Sequence, residues 1–281
     1  MSFSSISHGT HTVTGVYKGS TLIWSPPSQT PAVPTWDHVV LVIMENHSDA
    51  EIVGSASAPY LTSLAQNNIH MTQSFAVTHP SQPNYLALFS GSTQGVTDDN
   101  ACGPFSTTNL GQQLLAASKT FVGYSEDLPS VGYTGLTSGA YARKHNPWSD
   151  FTNVPTNLNQ PFTAFPTDYT TLPTVSIVVP NLNDDMHDGT IAQGDSWIQT
   201  HMDAYITWAK THNSLFIVTW DEDDTSESNQ VATIMAGAHQ VAGSYSQTIN
   251  HYSVLGMLQD SYGLARNAGS VGKASITYCW S

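Results

Sequence analysis

The chain has 281 residues, and its 21 Asp and Glu outnumber 7 Lys and Arg, which gives a formal net charge of -14. Seven scattered basic residues cannot neutralise a row of phosphates, so nucleic-acid binding is not expected. No apolar run approaches the ~18 residues of a membrane span, and the aromatic content argues against disorder. Two cysteines exclude a disulfide scaffold and a cysteine-rich zinc module.

The first 35 residues differ in pattern from the rest. Residues 12–24 contain two short β-type runs around Lys18 and Gly19, which predict a hairpin. Four prolines within residues 25–34 predict a stiff linker. We therefore expect a hairpin and linker over residues 1–35 and a second domain over residues 36–281. The first residues show no basic n-region and no apolar h-region, so no secretory signal is expected.

From His38 onward, the pattern alternates between strands and helices. Continuous apolar runs predict strands buried on both faces at residues 38–44, 174–179 and 214–220, with another strand at 119–124. Helices are predicted over residues 59–67, 83–89, 109–118, 195–210 and 251–261. This order predicts an α/β fold with a largely parallel central sheet and helices on both faces. Ligands of such sheets bind beyond the carboxyl ends of the strands.

Acidic side chains follow each of the three buried strands. Glu45 and Asn46 follow the first, a loop from Asp184 to Asp188 follows the second, and Asp221 and Glu222 follow the third. A single cluster of this kind is usually a helix cap or a solvated loop. Three clusters at equivalent strand ends would repel one another without a cation or a shared proton. The pattern therefore favours a site for a divalent metal.

Ser81 lies in a segment that opens a predicted helix. Pro83 suits the first turn, which would place Ser81 at the N-cap, near the positive end of the helix dipole. Such a terminus also stabilises a bound phosphate. A plain capping serine is the alternative, but the segment falls between the first acidic strand end and the rest of the core. This position favours a catalytic role.

Six segments together carry a family resemblance. They are Met44-Glu45-Asn46-His47-Ser48, His79-Pro80-Ser81-Gln82-Pro83-Asn84-Tyr85, Tyr141-Ala142-Arg143-Lys144-His145, Asn183-Asp184-Asp185-Met186-His187-Asp188, Thr219-Trp220-Asp221-Glu222 and Asn250-His251-Tyr252. In this order they resemble the bacterial phosphoesterase family, which joins acid phosphatases and phospholipases C within the alkaline phosphatase superfamily. The likeness runs from about Trp36 to the end and is closest to short secreted acid phosphatases, including those that act on phosphoinositides.

The resemblance implies an alkaline phosphatase-like fold and a role for each motif residue. Ser81 would be the nucleophile, and a histidine would protonate the leaving oxygen. The implied metal ligands are Glu45, Asn46, Ser81, Asp221 and Glu222; the implied acids are His187 and His251; the implied substrate contacts are Asn84, Lys144, His145 and Asp188. His187 and Asp188 would lie at the phosphate or at a second metal. Oxygen-rich ligation suits calcium, magnesium or manganese, and the nearby histidines also suit zinc or iron.

Several residues have a structural alternative. His251 opens a helix and could serve only packing there, and His47 and His79 could serve only to orient the motif residues beside them. Cys102 lacks the partner that the resemblance would place near Ala140 and Tyr141, so either it pairs with Cys279 or both cysteines are reduced. An extracellular location follows from the resemblance alone, and virion-associated and cytoplasmic locations stay open.

The leading hypothesis is a metal-dependent phosphomonoesterase that acts through a phosphoserine at Ser81. Its substrate would be a small phosphorylated molecule such as a phosphoinositide or a sugar phosphate, and the oligomeric state stays open. One alternative is a phosphodiesterase or phospholipase C on the same site, although the chain has no large insertion to hold a second substituent. Another alternative is an inactive virion- or surface-associated binding module that uses the hairpin as its attachment. The intact series of motif residues argues against this alternative.

Overall fold

A computed structural model describes residues 32–281 and, before them, four short strands. The chain forms two compact units, Met1–Ala32 and Val33–Ser281. In the first unit, the strands pair antiparallel as β1 Ser7–His8 with β2 His11–Thr12, and β3 Val16–Lys18 with β4 Thr21–Trp24. The predicted hairpin corresponds to β3 and β4, whereas most of the predicted linker, residues 25–31, lies outside the described residues. The domain boundary at residue 35 stays a prediction.

The second unit alternates strands and helices along the chain. Its strands are β5 His38–Met44, β6 Ile69–Met71, β7 Ser74–Phe75, β8 Phe121–Ser125, β9 Thr137–Ser138, β10 Tyr141–Ala142, β11 Asn159–Pro161, β12 Val175–Val179, β13 Ser214–Trp220, β14 Thr233–Gly237, β15 Gly243–Tyr245 and β16 Ile249–Asn250. Its α-helices are α1 Asp49–Ile52, α2 Pro59–Asn67, α3 Ser81–Ser90, α4 Leu110–Ala116, α5 Ile191–Ala209 and α6 His251–Ser261. Short 3₁₀ helices include Arg143–His145 and Pro147–Asp150. Among the described residues, no helix combines the length and apolar character that a membrane crossing requires.

Eight strands form the central sheet in the order β11-β8-β12-β5-β13-β14-β6-β15. The five strands from β11 to β13 are mutually parallel, and β14 runs antiparallel to both β13 and β6. The predicted α/β class with a largely parallel sheet is therefore confirmed. The sequence pattern did not predict the antiparallel edge, because β14 and β6 are short and lack a long apolar run.

Helices cover both faces of the sheet, as expected. Along β5, the side chains of Val39, Leu41 and Ile43 face a core built with α3, α4 and α6, whereas Val40 and Val42 face a second core built with α2 and α5. Because a strand buried on both sides needs apolar residues at every position, this arrangement explains the unbroken apolar run.

The predicted bounds of α2 and α6 agree with the structure to the residue, whereas those of α3, α4 and α5 differ from it by one to four residues. Helix α5 begins at Ile191 and not at Asp195, because the Thr190 side chain accepts a hydrogen bond from the Gln193 amide and caps the helix there. Gly194 lies inside this helix, where a Cβ atom would be 2.6 Å from Met186. The glycine therefore lets α5 approach the loop that carries Asp185 and His187.

Candidate active site

The three acidic strand ends meet at the carboxyl edge of the sheet. Met44 lies opposite Trp220 in the β5–β13 ladder, so Glu45 and Asp221 leave the sheet side by side. The Asp221 amide donates to the Met44 carbonyl at 3.0 Å, and the Glu45 amide donates to the Asp185 carbonyl at 2.9 Å. The backbone therefore holds all three clusters together, as the parallel topology predicts.

Ser81 is the first residue of α3, and its hydroxyl faces the carboxylates. Its Oγ donates to Glu45 Oε2 at 2.9 Å and to Glu222 Oε1 at 3.1 Å. The N-cap residue is Pro80 and not Ser81, which corrects the expected position by one residue. Because Ser81 forms no capping bond, its hydroxyl is available to a reacting group at the helix N-terminus.

The carboxylates around Ser81 are buried and crowded. Burial, together with the charges of Glu45 and Glu222, raises the pKa of Asp221 well above its ordinary value. Burial, and the nearby charge of Glu45, also raise the pKa of Glu222 against the opposing pull of His79. Asp221 Oδ1 accepts the Asn46 amide at 3.2 Å, whereas the buried Asp221 Oδ2 has no hydrogen-bond partner among the described residues. A cluster of this composition requires compensating positive charge.

Histidine 145 provides part of that charge at Glu45. Its Nε2 lies 3.0 Å from Glu45 Oε1, its Nδ1 lies 3.2 Å from Asp185 Oδ2, and its ring stacks on Tyr85. Burial acts to raise the pKa of Glu45, but His145, Tyr85 and Lys144 together bring it down to about 2. Asp185 is also buried, which raises its pKa to about 6 although the contact with His145 acts to lower it.

Two residues expected to contact substrate are occupied by protein groups. His145 is buried between its two carboxylates, with 1% of its surface exposed. The Asn84 amide oxygen accepts the Val77 and Thr78 amides, and its nitrogen donates to the Thr78 and Pro80 carbonyls. The structure therefore places both residues behind the site, where they hold the groups that face it.

Lys144 and His187 form the accessible basic side of the site. Lys144 Nζ lies 2.8 Å from Asp99 Oδ2 and 3.2 Å from His187 Nε2. His187 Nδ1 lies 2.7 Å from Asp188 Oδ1, and its side chain is 27% exposed. His187 is therefore a partly exposed imidazole whose ring is oriented by a carboxylate.

His251 differs from His187 in its surroundings. It is buried at the start of α6, and its Nε2 lies 2.6 Å from the Asp221 backbone carbonyl. Burial lowers the pKa of His251 to about 4, so the ring is neutral at neutral pH. A neutral ring that donates its proton to a carbonyl is poorly placed to protonate a leaving group, and the bond instead holds the backbone of Asp221.

Several oxygen donors in this cluster could hold a divalent cation. The carboxylates of Glu45, Asp221 and Glu222 lie around the Ser81 hydroxyl, and the unpartnered Oδ2 of Asp221 is the atom that a cation would satisfy. A second group of candidate ligand atoms, on Glu45, His145 and His187, lies within 4.8 Å of one another. Because His145 is already engaged by two carboxylates, the oxygen cluster fits a cation better.

Comparison with known proteins identifies the chain. The sequence pattern of the Phosphoesterase family matches residues 55–265. The chain belongs to this family. It is 53% identical over 253 residues to a phosphatidylinositol-3-phosphatase of Mycobacterium tuberculosis, across 89% of this chain and 84% of that one. It is also 30% identical over 266 residues to a phosphate-repressible acid phosphatase of Penicillium chrysogenum, across 88% of this chain but only 64% of that longer relative. These relatives make the chain a hydrolase of phosphate esters.

The fold agrees with this assignment. A protein of the alkaline phosphatase superfamily from Vibrio parahaemolyticus superposes with a TM-score of 0.59 at 12% identity, across 87% of this chain and 72% of that one. At this identity the likeness concerns the fold, and it confirms the expected alkaline phosphatase-like architecture.

Two residues of the phosphoesterase site, Tyr85 and Asp99, are not among the predicted site residues. Tyr85 donates to Glu45 Oε1 at 2.6 Å, and Asp99 holds both Lys144 and the Gln82 amide. Tyr85 lies at the end of the Ser81 motif, whereas nothing in the local pattern distinguishes Asp99.

The two cysteines do not form a disulfide. Cys102 and Cys279 are both free, and burial raises the pKa of each thiol to about 12.

Proposed function

We propose that this phosphoesterase is a metal-dependent phosphomonoesterase that forms a phosphoserine on Ser81. The observation that supports the proposal most directly is the Ser81 hydroxyl, which donates to two carboxylates at the N-terminus of a buried helix. The helix terminus favours the negative charge of a phosphoryl group, and the carboxylates provide an acceptor for the serine proton. Lys144, which lies 3.2 Å from His187, adds a positive charge that acts on Glu45.

The metal would be held by Glu45, Asn46, Ser81, Asp221 and Glu222. Glu45, Asp221 and Glu222 supply carboxylate oxygens, and the backbone of Asn46 adopts a left-handed conformation, with φ of 57°, beside Asp221. When bound, a divalent cation neutralises this cluster and the phosphate, and it lowers the pKa of a coordinated hydroxyl. The donor set suits calcium, magnesium or manganese without choosing among them, and zinc and iron stay open because histidines lie nearby.

The reaction would have two displacement steps. The Ser81 oxygen forms a bond to phosphorus while the bond to the leaving oxygen breaks, and the serine proton passes to a carboxylate that it already contacts. His187 donates a proton to the leaving alkoxide, and Asp188 keeps the ring in place. Water then attacks the phosphoserine, releases phosphate and restores the hydroxyl.

Replacement of Ser81 tests this proposal. Ser81→Ala should lower turnover of an aryl phosphate monoester by ~10³-fold or more, and radiolabelled phosphate should no longer be trapped on the protein. Ser90→Ala is the matched control, because Ser90 is also buried in α3, but its hydroxyl donates to the Leu86 and Ser92 carbonyls and accepts from the Gln94 side chain, away from the carboxylates. Retained turnover in Ser81→Ala would overturn the proposal, and faster turnover of an aryl phosphodiester would favour the phosphodiesterase alternative.

We further propose a phosphoinositide monoester as substrate, because the relative with 53% identity bears the name of a phosphatase for such a lipid. Turnover of phosphatidylinositol 3-phosphate in mixed vesicles, compared with turnover of a sugar phosphate, tests this assignment. Equal kcat/KM for the two substrates would argue against selection for the lipid.

A further inference from the structure

His79 lies two residues before the nucleophile and has no part in the reaction described above. It belongs to the segment between β7 and α3, and 37% of its side chain is exposed. Its Nδ1 lies 2.6 Å from Glu222 Oε2, and its Nε2 lies 3.2 Å from Asp223 Oδ1. The imidazole therefore bridges two adjacent carboxylates that follow β13.

The contact with Glu222 fixes the oxygen that faces Ser81. A carboxylate is planar, so a bond to one oxygen also sets the direction of the other. Glu222 Oε2 contacts His79, while Oε1 accepts the Ser81 hydroxyl at 3.1 Å. Without His79, the carboxylate could rotate away from the serine and from the neighbouring Asp221.

The backbone around His79 is held in place on both sides. Asn84 binds the backbone of Val77, Thr78 and Pro80, as described above, and the Asn229 side chain donates to the Thr78 carbonyl at 2.8 Å. Asn229 Oδ1 also accepts the Asp223 amide at 2.9 Å. The two segments that meet at His79 are therefore joined to each other by hydrogen bonds.

Asp223 is a fixed anchor for the ring. Its Oδ1 accepts the Thr225 amide at 2.8 Å, and its Oδ2 accepts the Glu227 and Asn229 amides at 2.8 and 2.9 Å. Since these three bonds immobilise the carboxylate, the Nε2 contact holds the ring at the angle that directs Nδ1 to Glu222.

We propose that His79 is a positioning residue that orients Glu222 for the bound cation and for Ser81. The inference rests on the proposed function, because it takes Glu222 as a metal ligand. Hydrogen-bonded partners of metal ligands typically contribute 10–100-fold to metal affinity or activity. The role differs from that of a catalytic residue, since His79 acts through Glu222.

Three substitutions separate the two contacts of the ring. His79→Ala removes both. The side-chain amide of asparagine takes the place of Nδ1, so His79→Asn retains a donor to Glu222, whereas the longer glutamine in His79→Gln places its amide near Nε2 and Asp223. Each purified, metal-stripped variant is titrated with Mn²⁺ alone, and free Mn²⁺ is followed by electron paramagnetic resonance. Thermal unfolding, kcat and KM are measured on the same samples.

We expect His79→Ala and His79→Gln to bind Mn²⁺ about 10–100-fold more weakly than the wild type, and His79→Asn to retain most of the affinity. His47→Ala is the matched control, because His47 also flanks a motif residue but contacts Glu51 at 3.2 Å; it should bind normally. Unchanged Mn²⁺ affinity in His79→Ala overturns the inference. Rescue by glutamine in place of asparagine also overturns it, because the ring would then serve the Asp223 loop. Wild-type protein that binds no Mn²⁺ would refute the proposed metal site and this inference together, whereas the other two outcomes leave the proposed function intact.

Discussion

Replacement of His145 by glutamine should change how the stability of the metal-free protein depends on pH. The buried imidazole lies 3.0 Å from Glu45 and 3.2 Å from Asp185, which come from the ends of two neighbouring strands. Burial acts to lower the pKa of His145, but the two carboxylates raise it from 6.5 to about 9. A base with a raised pKa stabilises the fold while it is protonated.

The sign and size of the effect follow from this shift. The stabilisation is fully present below pH 6.5, the ordinary value, and is lost as the pH rises through about 9. At about 1.4 kcal/mol per pKa unit, the wild-type free energy of unfolding should fall by about 3 kcal/mol over this interval. The lowered pKa of Glu45 reports the same contact and adds nothing further.

Urea unfolding in buffers from about pH 6 to about pH 10 measures this dependence. His145→Gln leaves two buried carboxylates without a counterion, so it should be about 3–5 kcal/mol less stable near neutral pH and should lack the alkaline decline. His212→Gln is the control, because His212 is exposed and stacks on Trp208; it should retain the decline. A wild-type stability that stays flat across this interval, or an equal decline in His145→Gln, would refute the assignment of His145 as a buried cation.

Two further predictions concern other basic groups of the site. Lys144→Met should raise KM for an aryl phosphate about tenfold with a smaller change in kcat, because a charged hydrogen bond to the phosphate is lost. The control is Lys119→Met, which removes an amine above the Tyr262 ring. An unchanged KM in Lys144→Met would place the phosphate elsewhere. His251→Gln should keep a donor to the Asp221 carbonyl and abolish an acid-induced loss of stability. Because burial lowers the pKa of His251 from 6.5 to about 4, only the unfolded wild type gains this proton as the pH falls over that range. The free energy of unfolding of the wild type, measured in urea, should therefore fall by about 3 kcal/mol. An equal fall in the variant would contradict this interpretation.

The elements that the sequence predicted well are those whose signals are local. The runs at 38–44 and 214–220 are almost entirely apolar because both faces of β5 and β13 are buried, and the sequence pattern alone shows this. Strand β14 carries a similar but shorter run, and its antiparallel direction depends on pairing with β13 and β6. That information lies in tertiary contacts, which a single sequence does not display.

In the candidate site, too, the features with a local sequence signal could be predicted, and those that depend on tertiary contacts could not. The convergence of Glu45, Asp185 and Asp221 could be predicted, because the ends of parallel strands share one edge. The partners of the histidines could not. The resemblance implies a substrate contact for His145, which is buried against Glu45 in the structure, and the partner of His79 is Glu222, which is far away in sequence. The same residue type is therefore partly exposed at His187 and buried at His145 and His251, a difference that the sequence does not show.

The scarcity of lysine and arginine has a consequence inside the site. The buried acids of the cluster face histidine: Glu45 and Asp185 contact His145, and Glu222 and Asp223 contact His79. Lysine and arginine keep their charge throughout the physiological pH range, whereas the charge of a histidine depends on the groups around it. No lysine or arginine in the described part of the chain contacts these four carboxylates directly, so the buried His145 supplies positive charge to Glu45 and Asp185; its pKa rises to about 9 because the two carboxylates outweigh the effect of burial. In a protein with a net charge of -14, the proposed binding of a phosphate ester at this edge of the sheet would therefore rely on buried histidine and on the N-terminus of α3 more than on lysine or arginine.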